Sequence, residues 1–137
     1  MQKIIIILRW CLVPIAMLGS WYAGLILGMG LYGLFDHFCP SSERVSGMCY
    51  ASWFPLAEQT SFCVGAGTVA LLMVLSASYA APVRKPFVVW SVFFVGCAAA
   101  LYFAFAASAW RESLTAIFVG FVSAWILSRR WQAVAPR

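Results

Sequence analysis

The chain has 137 residues, of which 64% are hydrophobic and 9% charged, with a formal net charge of +5. Soluble domains carry roughly a quarter charged residues, so this composition excludes an ordinary soluble fold and makes the bilayer the natural solvent. The cations sit beside apolar segments rather than on a polar surface, which makes membrane lipid headgroups their partner and gives no support for nucleic acid.

The amino terminus, "MQKIIIILRWCL", begins like a signal peptide, with a basic residue before an apolar run. Arg9 interrupts that run and no small-x-small cleavage site follows at the right distance, so the segment reads as retained. A helix needs about 20 apolar residues to cross roughly 30 Å of hydrocarbon. The first crossing is expected at about 10–35. Its apolar run starts as early as Ile4, too long for one upright span, so the helix tilts or lays its first turns along the interface, with Pro14 a point for a kink. A polar loop follows at 36–54. The second crossing is expected at 59–80, with Pro55 starting the helix and Glu58 in its first turn. The third, at 87–109, follows the turn "PVRKP" with Pro86 near its first position. The fourth is expected at 113–130. Such long continuous apolar runs exclude the alternation of a β-barrel. The expected fold is all-α: one polytopic domain over 1–137, with four transmembrane helices in a compact bundle and no repeat or second domain.

Charge orients this scheme. Seven of the nine cations (Lys3, Arg9, Arg84, Lys85, Arg129, Arg130 and Arg137) fall on the side of the termini, and only Arg44 and Arg111 on the other. The positive-inside rule then places both termini in the cytoplasm and the 36–54 loop in the periplasm or outside the cell, in a plasma membrane of the bacterial inner type.

That loop holds the single histidine and two of the five cysteines. Disulfides persist on that side of a membrane, and the nine residues between Cys39 and Cys49 include Pro40 and Gly47, which let the chain turn back. A structural bridge between Cys39 and Cys49 is expected. Cys11, Cys63 and Cys97 lie in apolar helices and read as small hydrophobes. Nineteen residues are more than a connector needs. Glu43, Arg44, Met48, Tyr50 and Trp53 supply residue types enriched at interfaces, so the loop reads as a surface that binds a partner.

Helices in lipid gain little from apolar burial against one another, so small residues set their contacts. Helix one carries Ser20, Gly24 and Gly28 at four-residue spacing; helix two, Ser61 and Gly65. Helix three carries Gly96, Ala100, Ala104 and Ser108, and helix four Ala116, Gly120, Ala124 and Ser128. The large residues Phe93, Phe94, Phe103, Phe105, Phe118 and Phe121 are expected to face lipid or a partner helix.

Chemistry is thinly represented. Asp36 and His37 are adjacent, a poor arrangement for a carboxylate to orient an imidazole, and Ser41 and Ser42 lack a nucleophile motif. A metal set of Asp36, His37, Cys39 and Cys49 lacks the usual paired spacing. Membrane thiol oxidoreductases depend on C-x-x-C, whereas Cys39 and Cys49 form C-x9-C. A homo-oligomeric transporter needs an intramembrane acid, and Glu58 is the nearest to one. By elimination the chain reads as a small accessory subunit without a cofactor, which associates laterally with a larger integral membrane protein through its braced loop. A homo-oligomeric transporter using Glu58 and a thiol–disulfide enzyme using Cys39 and Cys49 are the competing readings.

Overall fold

A computed structural model describes the backbone of residues 2–81 and 85–134, and the side chains of residue 8, 10–81 and 85–131. It is all-helical apart from one small hairpin. The helices are α1 (Gln2–His37), α2 (Phe54–Ala80), α3 (Lys85–Ala107) and α4 (Trp110–Val134). Each contains a stretch long and apolar enough to cross a membrane: Trp10–His37, Phe54–Ala80, Lys85–Ala107 and Trp110–Trp131. The cations Arg84 and Arg137, and the side chains of Lys3 and Arg9, lie outside the described residues, as does the Pro82–Arg84 part of the third-helix turn.

The element ends differ from the expected ones for local reasons. α1 is one helix of 36 residues that includes Pro14, about 54 Å long at 1.5 Å per residue. It continues through Asp36 and His37, which shortens the polar loop. α2 starts at Phe54, with Pro55 in its first turn, where a missing N–H costs nothing, so the crossing expected at 59–80 lies inside a slightly longer helix. α3 stops at Ala107. Ser108 takes a left-handed backbone with φ 55°, which turns the chain into α4 within two residues. Ser108, expected in a packing stripe, is therefore a turn residue.

α2 sits at the centre, packed along α1 on one side and α4 on the other, with a smaller contact to α3; α3 rests chiefly on α4. The closest seam joins α1 to α2. A Cβ on Gly24 would lie 2.3 Å from Val69 Cγ2 and 2.9 Å from the Val69 backbone nitrogen. A Cβ on Gly28 would lie 3.2 Å from the Gly65 Cα. One turn further along, the Ser20 hydroxyl donates to the Ala16 carbonyl at 2.7 Å and meets the Ser76 hydroxyl at 3.0 Å. The α2–α4 seam places Gly67 against Val119 and Thr115, and Gly120 fits against Phe93 and Ala70. Phe93 is thus a packing residue between helices, while Phe94, Phe103, Phe105, Phe118 and Phe121 are exposed, as lipid-facing side chains would be.

Two clusters close the end nearest the termini. Val13, Ala77, Ala81 and Val88 draw together α1, α2 and α3. Val74, Val89, Ala124 and Leu127 join α2, α3 and α4, with Val92, Phe93 and Trp131 against them. Lys85 Nζ stands 3.7 Å from the centre of the Trp131 ring, and the Arg129 guanidinium 4.6 Å from that of Trp125. Cations over aromatic rings at helix ends suit the headgroup layer.

Candidate functional site

Two features stand out at the other end of the helices: a covalently closed hairpin and a groove below it. The hairpin is built from β1 (Arg44–Val45) and β2 (Met48–Cys49), paired antiparallel with Arg44 opposite Cys49 and Val45 opposite Met48. Ser46 and Gly47 form its two-residue turn with φ of 52° and 83°. Positive φ at both central positions is the signature of the type I′ turn, whose twist matches that of the strands. The dipeptide Ser-Gly between Val45 and Met48 was the available sequence signal for it. The Tyr50 N–H donates to the Glu43 carbonyl at 2.9 Å and extends the pairing.

Cys39 and Cys49 are joined in a disulfide with a Cα–Cα distance of 5.9 Å, within the ordinary range of such bridges. Both are buried, with Ala51 and Phe54, against Tyr32 and Phe35 of α1. Tyr32 meets Phe54 edge-on at 5.7 Å and stacks on Phe62 at 6.0 Å. Arg44 braces the hairpin further: its guanidinium lies 3.3 Å from the Asp36 carboxylate and also donates to the Asp36 backbone carbonyl. Asp36 therefore serves Arg44, and Arg44 is partly spent inside the chain rather than free for a partner. Glu43, Met48, Tyr50 and Trp53 remain exposed. His37 lies exposed at the end of α1 beside Phe38. Among the described residues, no three of His, Cys, Asp and Glu come together in a group able to hold a metal ion.

The groove has a volume of about 640 Å³ and is walled by α1 and α3 and floored by α2 and α4. Much of its lining is glycine and alanine, including Gly24, Gly28, Gly65, Gly96, Ala100 and Gly120. Gly96 and Ala100 thus face open space, and a Cβ on Gly96 would meet no atom within 4 Å. Ala104, nearer the hairpin end of α3, and Ala124, farther from it on α4, are fully buried. Small residues at regular spacing mark a face on which something can come close; on α3 this chain leaves much of that face unfilled.

The groove's polar end is at Glu112, in the first turn of α4. Gln59 of α2 reaches across: its amide nitrogen lies 3.4 Å from Glu112 Oε1, and its carbonyl oxygen accepts from the Arg111 guanidinium. A second cavity, about 420 Å³, opens beside this trio and is lined by Gln59, Ala107–Ala109, Trp110, Arg111 and Glu112. Glu58 lines neither cavity. Sequence reasoning singled out Glu58 as the acid nearest to being intramembrane; what places Glu112 at the cavity mouth is the short turn at Ser108, which aligns the start of α4 with Gln59. Comparison with protein-family models, with curated proteins and with solved structures finds no match for this chain.

Proposed function

We propose that this chain is a small integral membrane subunit that acts by association, docking against a larger membrane protein through its disulfide-braced hairpin. The observation that carries this reading is the hairpin's apolar face. Val45, Met48 and Tyr50 are 58%, 66% and 67% exposed on a segment held rigid by a disulfide, a two-strand ladder and an ion pair. Because the backbone of this segment is already fixed, its ordering costs little on binding, which favours an interface. In this reading the termini are cytoplasmic and the hairpin faces the periplasm or the cell exterior, as the cation distribution favours. Transport through Glu58 is less well supported, because that residue lies off both cavities and the groove is shut at its far end. Thiol exchange is disfavoured by the burial of both bridged sulfurs' residues, since exchange needs access.

The test is purification from native membranes in a mild detergent, with the Met48→Ala/Tyr50→Ala double variant alongside. A larger membrane protein should accompany the wild-type chain and be depleted at least about tenfold with the variant, the loss of two interface anchors. A wild-type chain that runs alone, or a partner retained equally by the variant, refutes the hairpin as the docking surface.

A further inference from the structure

The groove suits a different occupant from the hairpin. We propose that it holds an acyl chain of a zwitterionic phospholipid from the hairpin-side leaflet, with the lipid's phosphate at Arg111 and its ammonium at Glu112. This site is independent of whatever partner the hairpin binds.

Length argues first. Along α4 the groove runs from Glu112 to Gly120, about 12 Å, and along α2 from Phe62 to Val74, about 18 Å, at 1.5 Å per residue. The hydrocarbon of a bilayer is roughly 30 Å thick, so the groove spans about one leaflet. It is also blind, because the Val13/Ala77/Ala81/Val88 cluster draws α1, α2 and α3 together beyond it. A partner transmembrane helix, 10–12 Å across with its side chains, needs a channel running the full depth of the membrane, roughly 30 Å. A single hydrocarbon tail entering from one side does not. A volume of about 640 Å³ falls among small-ligand sites rather than helix-sized clefts.

Chemistry argues second. The lining is apolar until Glu112 and Ser113, so water gains nothing there while hydrocarbon fits. Glu112 lines both the groove and the adjoining cavity, where Arg111 carries the opposite charge and Gln59 cross-links the two. The adjoining cavity of about 420 Å³ gives a headgroup room at the same level. Arg111 keeps guanidinium donors for a phosphate beyond the one it gives Gln59. Glu112 repels a lipid whose head carries only negative charge and attracts one with an ammonium. The complementary pair therefore selects a zwitterion.

The experiment is reconstitution into vesicles containing equal parts of phosphatidylethanolamine and phosphatidylglycerol, extraction in mild detergent, and native mass measurement of the lipid retained. The wild-type chain should keep one phosphatidylethanolamine, enriched about tenfold over phosphatidylglycerol, as one charge-assisted contact allows. Gly96→Phe grows a ring into the groove from a Cβ position that has no atom within 4 Å, so it should leave thermal unfolding unchanged and abolish retention. Ala100→Leu provides the same block should the larger ring disturb folding. Glu112→Gln should reverse the preference toward phosphatidylglycerol. Met48→Ala/Tyr50→Ala should leave lipid retention intact, which separates this site from the hairpin reading. Retained lipid in vesicle proportions, undiminished retention in both blocked variants, or a photo-crosslink from position 96 to a polypeptide would each overturn the proposal.

Discussion

Gly24 and Gly19 show how differently two glycines of one helix are used. A methyl at Gly24 would land 2.3 Å from Val69 Cγ2 and against the Val69 backbone, whereas one at Gly19 meets nothing within 4 Å. Gly24→Ala should cost about 1–3 kcal/mol through overpacking, while Gly19→Ala should be neutral or slightly stabilising. Unfolding in mixed detergent, followed by loss of helical signal, distinguishes them. Ser108 offers the opposite case, since its φ of 55° suits glycine better than serine. Ser108→Gly should raise stability by about 1 kcal/mol and Ser108→Val should lower it; the same unfolding assay reads both. The Gly24/Gly28 stripe could be seen in the chain because four-residue spacing is a local property. The identical spacing at Gly96 and Ala100 leads to an open groove instead. Spacing reveals that a face is smooth, and only the placement of the neighbouring helix decides whether that face is filled.

Among the elements, the hairpin was the one not foreseen. A two-residue strand on each side of Ser46–Gly47 leaves almost no alternation to read. The bridge was foreseeable, because a proline and a glycine between two cysteines make closure easy. Its removal should be felt locally. Cys39→Ser with Cys49→Ser releases a loop whose closure is worth about 3 kcal/mol in the chain-entropy model. Hairpin residues should then exchange amide hydrogens much faster while the helices remain protected, and hydrogen-exchange mass spectrometry would show this. A membrane-impermeant maleimide should modify Cys39 and Cys49 only after reduction; labelling without reductant would refute the bridge in the native membrane. Helix ends were the least legible part. Pro55 marks the start of α2 in the chain, whereas Ser108 ends the third helix through a backbone geometry that hydropathy does not carry.

For the whole molecule, the number of apolar helices follows from composition, because lipid forces each backbone polar group to be satisfied within its own segment. Which helices touch does not. The central place of α2 and the splaying of α3 away from α1 depend on contacts such as Gly24–Val69 and Phe93–Gly120, and no local pattern names those pairs. The orientation proposed for the chain has its own test. A reporter enzyme active only in the periplasm should be silent when fused after residue 137 and active when inserted at Gly47; the reverse pattern would invert the proposed topology.

The seam between α1 and α2 carries a consequence for biosynthesis. Gly24, Gly28, Gly65, Val69, the Ser20–Ser76 contact and both bridged cysteines all lie before Ala81. The first two helices can therefore pair, and the bridge close, before α3 and α4 have joined them. The later pair then joins a half-molecule that is already set, and a fault in the second half need not unmake the first.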